Sequence, residues 1–286
     1  MTGRTARRRV RRIVLPDDGR GEAAQVTDRS DLLAAEEPLG IRVGGQALTL
    51  TMRTPGDDVD LAAGFLVSEG IVRAPADIAT ITICTGVACG HAAHDGAGNI
   101  ADVVLRPGLA AGPALRRNFL TTSACGVCGK TSIAELAVKR TWDINGDQAL
   151  IPATMLAAMP GQLRDAQRVF ASTGGLHAAG VFGPGGELLV VREDVGRHNA
   201  VDKVVGWALR EERLPLRGCV LLVSGRASFE LVQKAALAGF PVLAAVSAPS
   251  SLAAELASEA GLTLVGFLRG GSMNVYTEPQ RITTGS

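Results

Sequence analysis

The stretch Leu176-His177-Ala178-Ala179-Gly180-Val181-Phe182-Gly183-Pro184-Gly185-Gly186-Glu187-Leu188-Leu189-Val190-Val191-Arg192 decides the fold. Two apolar runs of strand length flank a turn of glycine and proline, so 176–182 and 187–192 read as a β-hairpin. Forward of it, helices over about 196–212, 226–238 and 250–260 alternate with strands at 219–223, 242–246 and 262–267. A helix at 162–171 precedes it. A hairpin followed by αβαβαβ predicts a three-layer α/β domain whose sheet is mostly parallel with one antiparallel part.

Backward of it, residues 40–53 alternate around Gly44-Gly45 and read as a second hairpin. Asp57-Asp58 starts a helix through Leu61, Phe65 and Leu66 that Gly70 ends, and short strands are expected at 79–84 and 100–106. The Gly/Pro-containing stretch 107–113 is a boundary. The predicted organisation is a leader with a first strand at 1–36, a smaller α+β domain at 37–112 and the three-layer domain at 113–286.

The chain has 286 residues, 47% of them hydrophobic, enough for a buried core. A formal net charge of +1 gives no overall case for nucleic acid. Six arginines within Arg4–Arg12 read as a flexible, solvated leader rather than a nucleic-acid arm. No apolar run reaches membrane-spanning length and no secretory signal is apparent, so no membrane association is expected. Five cysteines, an odd number, do not suggest a disulfide framework, and the expected compartment is the cytoplasm.

The chemistry points to Thr121-Thr122-Ser123-Ala124-Cys125-Gly126-Val127-Cys128-Gly129-Lys130. A Cys-x-x-Cys can share a metal, cycle through a disulfide or hold a reactive thiolate. Ser132-Ile133-Ala134-Glu135 fits a capping box, so Cys125 and Cys128 precede a helix N-terminus, which with Lys130 favours thiolate. Structural zinc is the rival, with Cys84 and Cys89 joining Cys125 and Cys128, and His91 nearby. Cys84 closes an apolar strand and reads as packing; Cys219 opens one and reads as core. Gly129-Lys130-Thr131 resembles the tail of a P-loop, but Ala124 stands where its first glycine belongs, so that reading fails.

Three strand-to-helix junctions carry a second chemistry: residues 193–199, with Arg197 and His198; residues 224–228, with Gly225 and Arg226; and residues 247–251. Glycine permits close backbone approach, helix starts offer free N–H groups, and the two arginines offer bidentate donors. Ser and Gly also cap helices, but together the junctions describe a phosphate-binding rim. His198 is a ligand contact; His177 reads as structural. The element order resembles the cytidine-deaminase-like fold. His198-Asn199-Ala200 and residues 224–228 lack the glutamate and cysteines that zinc deaminases need, so that chemistry is absent.

The stretches 121–130, Ser172-Thr173-Gly174-Gly175-Leu176-His177-Ala178-Ala179, Glu193-Asp194-Val195-Gly196-Arg197-His198-Asn199-Ala200-Val201-Asp202-Lys203 and Gly266 through Thr277 carry a family resemblance. From about residue 37 onward the chain is similar to the formate dehydrogenase accessory sulfurtransferases (FdhD). That resemblance implies a homodimer that accepts sulfur from a cysteine desulfurase as a persulfide on Cys125, with Cys128 beside it. It implies delivery to the molybdenum bis(molybdopterin guanine dinucleotide) cofactor, bound as substrate, before insertion into formate dehydrogenase. The cofactor segment of the family maps to Phe267, Leu268, Arg269, Gly270, Gly271 and Ser272, and GDP serves as a fragment of the cofactor. A zinc-stabilised, nucleotide-binding assembly factor without covalent sulfur chemistry is the alternative.

Overall fold

The computed structural model describes residues 3–15, 24–84, 99–109 and 142–285. The arginine-rich segment is not a loose leader. Thr5–Val14 (β1) pairs antiparallel with Gln25–Ala34 (β2) in unbroken register, as a two-stranded sheet of its own. The register sets Arg8 opposite Asp31 and Arg11 opposite Asp28, and Arg11 Nε donates to Asp28 Oδ1 at 3.0 Å. Of these facing pairs Arg11–Asp28 is bonded, which favours the pairing, whereas Asp31 is paired with Arg29 at 3.6 Å.

Glu37–Val43 (β3) and Gln46–Arg53 (β4) form the expected hairpin. Its turn residues Gly44 and Gly45 have φ of 57° and 76°, the consecutive left-handed positions of a type I′ turn. Asp58–Ser68 (α1) follows; Ile78–Cys84 (β5) and Ile100–Leu105 (β6) then complete a four-stranded sheet ordered β4-β3-β6-β5.

In the C-terminal half come Ile151–Pro152 (β7), Ala153–Ala166 (α2), Arg168–Thr173 (α3), His177–Phe182 (β8), Leu188–Asp194 (β9), Arg197–Arg210 (α4), Val220–Val223 (β10), Phe229–Leu237 (α5), Val242–Ala245 (β11), Ser251–Ala260 (α6), Thr263–Arg269 (β12), Ser272–Val275 (β13) and Ile282–Thr283 (β14). The helix expected at 162–171 is instead two. α2 begins earlier and runs through Pro160, which forfeits a backbone bond but is carried by buried Leu156, Met159 and Leu163 at helical spacing. Gln167 separates it from α3.

Six strands form the main sheet in the order β13-β12-β11-β10-β8-β9. β10, β11 and β12 are parallel neighbours, whereas β8 and β13 run against theirs. β9 to β12 therefore share one direction and end on one side. Side chains alternate across the pleat. Ala179, Val181, Leu221, Val223 and Leu243 face the cluster built with α1, α4, α5 and α6; Ala178, Phe182, Val220, Leu222 and Val242 face α2. The first cluster also takes in Leu39, Ile41, Ala101 and Val103 of the small sheet. The boundary expected after residue 112 lies outside the described residues; the described parts on its two sides share this cluster.

What joins the two sheets is a helix crossing without side chains. A Cβ on Gly64 of α1 would collide with the Asp202 carbonyl, and one on Gly206 of α4 with the Asp60 carbonyl. The helix backbones touch where a methyl group would separate them. Gly206→Ala should therefore cost about 1–3 kcal/mol or more, read as a lower urea midpoint. Gly146→Ala, where an added Cβ meets nothing within 4 Å, is the control. Equal midpoints for the two variants would show that the crossing relaxes freely.

Candidate functional site

β9 ends in Asp194, a carboxylate with no solvent exposure. It pairs with Lys203 Nζ at 2.7 Å, and Lys203 is itself 1% exposed. A buried ion pair persists only when its remaining valences are bonded. Asp194 also accepts from the backbone N–H groups of Thr54 (3.1 Å) and Gly196 (2.8 Å) and from Asn199 Nδ2 (3.0 Å). Lys203 donates to the Thr54 carbonyl at 2.9 Å, and Asn199 Nδ2 to that of Met52 at 2.8 Å. The network ties the end of β4 to the first turns of α4 and fixes where Arg197 and His198 stand.

The predicted junctions are stitched into one edge. Ala178 N donates to Ser224 Oγ at 2.9 Å, Ser247 N to the Gly225 carbonyl at 3.3 Å, Ala227 N to that of Ala248 at 3.2 Å, and Phe267 N to that of Ser247 at 3.1 Å. Arg197, His198, Gly225, Arg226 and Phe267 thus come together at the ends of β9 to β12. Phe267 has φ of 53°, a left-handed conformation rare for a bulky residue. Arg269, Gly270, Gly271 and Ser272 form the exposed turn into β13, with the Arg269 guanidinium 5.8 Å from the Phe267 ring centroid. Leu268 differs from its neighbours: its side chain is fully buried in the cluster beneath α2, so it offers a ligand only backbone.

Helix capping accounts for one junction of the three. Ser250 Oγ accepts from Ala253 N and caps α6. Neither α4 nor α5 has a side-chain cap; Ser228 Oγ lies 3.4 Å from His198 Nε2 instead. His198 Nε2 is 2.6 Å from Glu230 Oε2, and this hydrogen bond lowers the Glu230 carboxyl below its usual range against the opposing effect of burial. Arg197 Nε is buried without a hydrogen-bond partner. Arg226 is exposed, and neither arginine has an ion pair among the described residues. Guanidinium groups left in this state suit an anion such as phosphate.

His177, expected to be merely structural, lies on the same edge. Its ring covers Gly225, where a Cβ would come within 3.3 Å of Nδ1. Burial, then the charges of Arg197 and His198, push its pKa below the usual 6.5, with Asp194 opposing. This favours the neutral imidazole. Glu230, in the first turn of α5, carries no distinguishing sequence signal, because acidic residues are ordinary there. Glu193, within the motif, is structural: it accepts from the N–H groups of Val169 (3.0 Å) and Phe170 (2.7 Å) and caps α3.

Cys125, Cys128, Cys89, His91 and the helix start at Ser132 lie outside the described residues. Cys84 is disulfide-bonded rather than simply packed. Cys219 is buried, and burial pushes its thiol up to about 11, which suits a core residue. Among the described residues no helix is long and apolar enough to cross a membrane.

The sequence pattern of the FdhD/NarQ family spans residues 34–283. The chain belongs to the FdhD/NarQ family. The resemblance carried by the four motifs is thereby confirmed. The protein named sulfur carrier protein FdhD in Mycolicibacterium paratuberculosis is 57% identical over 282 residues, covering 97% of this chain and 98% of its own. Its namesake in Streptomyces avermitilis is 55% identical over 282 residues, covering 97% and 95%. The fold is shared with the crystal structure of a provisionally assigned formate dehydrogenase accessory protein from Desulfotalea psychrophila, with a TM-score of 0.70 at 23% identity, covering 98% of this chain and 99% of that one.

The lowered pKa of His177 sets a pH dependence. Well above 6.5 the histidine is neutral in both folded and unfolded chains. As pH falls through 6.5 the unfolded chain takes a proton that the folded site resists, so stability drops until the lower, folded value is passed. Urea unfolding between pH 8 and 5 should show a shallower loss in His177→Gln than in the parent. Identical slopes would place the imidazole in an environment no different from water.

Proposed function

We propose that the chain is a sulfur carrier in formate dehydrogenase maturation. Its near-full-length identity to proteins named sulfur carrier protein FdhD carries this reading. In it, the Cys125 thiolate attacks the terminal sulfur of a persulfide on a cysteine desulfurase. The sulfur–sulfur bond breaks toward the donor, which leaves as thiolate, and the sulfur stays on Cys125. Cys128 stands by as the neighbouring thiol. The acceptor is the molybdenum bis(molybdopterin guanine dinucleotide) cofactor, held as substrate before insertion into formate dehydrogenase. The unpartnered Arg197 and Arg226, the uncapped starts of α4 and α5, and the Phe267–Ser272 segment suit its phosphates and bases. The order β9-β8-β10-β11-β12 supports a cytidine-deaminase-like core. A cytoplasmic homodimer completes the proposal.

Incubation with a cysteine desulfurase and cysteine should add about 32 Da, one sulfur, to a peptide containing Cys125. Cys125→Ala should lose both the adduct and formate dehydrogenase maturation while its thermal unfolding stays unchanged. Undiminished sulfur loading in that variant would rule the residue out. GDP, as a fragment of the cofactor, should bind the parent. Arg197→Ala and Arg226→Ala should each weaken it by about 1.5–3 kcal/mol where the charged hydrogen bond is direct. Calorimetry giving the parent affinity for both would assign these arginines to another ligand.

A further inference from the structure

The β1–β2 arm is left without a role by everything above. Its first strand and nearly all of its second precede the residues matched by the family pattern. Apart from the partly covered Thr5, Val10 and end of β2, the arm is solvent-exposed on both faces. An isolated two-stranded ribbon buries too little to be well stabilised alone. Its described residues, 3–15 and 24–34, hold seven arginines against Asp28 and Asp31, a net +5; with Asp17, Asp18, Arg20 and Glu22 of the joining residues 16–23 the segment 3–34 is +3, and the rest of the +1 chain is −2. The positive charge of the protein is therefore concentrated on this arm. Toward the residues that join the strands, Ile13, Leu15 and Val26 are 59%, 74% and 55% exposed. The base stands beside the rim. Arg4 pairs with Asp57 at 2.6 Å, β2 packs on α3, and Ala34 lies against Gly175, two residues before His177.

We propose that the β1–β2 arm docks an acidic surface, with an apolar patch, on the protein that receives what the rim holds. Under the function proposed above, on which this rests, that protein is formate dehydrogenase in its cofactor-free form. Nucleic acid fits the arm less well. Asp28 lies within 3.0–3.6 Å of Arg11 and Arg9, and Asp31 within 3.6 Å of Arg29, so the cationic stripe is interrupted on both faces. The arm has no aromatic side chain to stack on bases. Phosphates also offer nothing to the exposed Ile13, Leu15 and Val26, whereas a protein surface can meet both features.

The test uses the full chain and purified cofactor-free formate dehydrogenase in biolayer interferometry at 150 mM salt. Arg7, Arg8 and Arg12 make no ion pair among the described residues, so Arg7→Gln/Arg8→Gln/Arg12→Gln spares the internal bonds of the arm. It should weaken binding about tenfold or more and flatten its salt dependence. The matching triple change to Lys should retain most of the affinity, which separates lost charge from lost structure. GDP affinity and sulfur loading of Cys125 should match the parent in both. Parent-like binding by the Gln variant, or no binding by the parent, overturns the arm proposal; the proposed function fails separately, if sulfur loading and GDP binding are absent from the parent. A mixed-sequence DNA duplex bound more tightly than the enzyme, and released by the Gln changes, would make the arm a nucleic-acid element. A change of mass in light scattering on making them would make it a self-association element. Either result overturns the proposal.

Discussion

The bond between Asp194 and Lys203 carries more of this structure than any apolar contact. Desolvating two charges costs nearly as much as their attraction returns, so the pair itself adds little net stability. Its value is positional. Asp194 is the last residue of β9, Lys203 sits in the second turn of α4, and Thr54 follows β4, so one node holds three elements at fixed distance. Removing either charge would leave the other buried and unmatched, which is far more costly than the pair is favourable. The glycine crossing of α1 and α4 then sets how closely the small sheet approaches, and Ser68 Oγ, donating to Asp202 at 2.6 Å, closes the far end of the same helix pair.

Against that background the rim arginines stand apart. Buried Arg53 is shared between Asp58 and Glu37, and Arg192 is held by Asp60 and Asp57. Arg281 donates to the carbonyls of Gly261 and Ile144. Each of these three packed guanidinium groups has its partners within the chain. Arg197 and Arg226 are treated differently, and the carboxylates near them are occupied: Asp194 by Lys203, Glu193 by the start of α3, Glu230 by His198. The local acids are engaged elsewhere in the fold, so among the described residues neither rim guanidinium is held by a carboxylate.

Much of this was readable in advance. Period-two and helical spacing located the hairpins and the strand–helix alternation because those patterns report burial directly. Pairing between distant segments was harder to read. β1 reads locally as a solvated leader because the acids that complement its arginines, Asp28 and Asp57 among them, lie further along the chain. The first half of α2 was hidden by Pro160-Gly161, whose local cost the buried face overrides. At the rim, the placement of Arg197 and Arg226 at strand-to-helix junctions is legible in the sequence. The position of His177 over Gly225 is not, because it comes from the pairing of distant strands.

The position of Phe267 follows from counting along β12. Val265 and Leu268 both face the α2 cluster, and Leu264 faces the opposite one. Strict alternation would put Val265 and residue 267 on one face; three steps between Val265 and Leu268 require one extra residue. The pairing with β13 shows where it is taken up, in a register shift between Gly266 and Arg269. Phe267 adopts the left-handed conformation that a G1 bulge normally gives to glycine, at a cost of about 1–2 kcal/mol for a side chain. Gly266 makes room beside it, since a Cβ there would press on Pro249 at 2.8 Å and Tyr276 at 3.0 Å. The bulge lifts the phenyl ring out of the sheet and brings its backbone N–H to the Ser247 carbonyl, at the third junction. Regular pairing would have carried β12 past the rim with that ring buried; the irregularity is what makes the C-terminal hairpin part of the site.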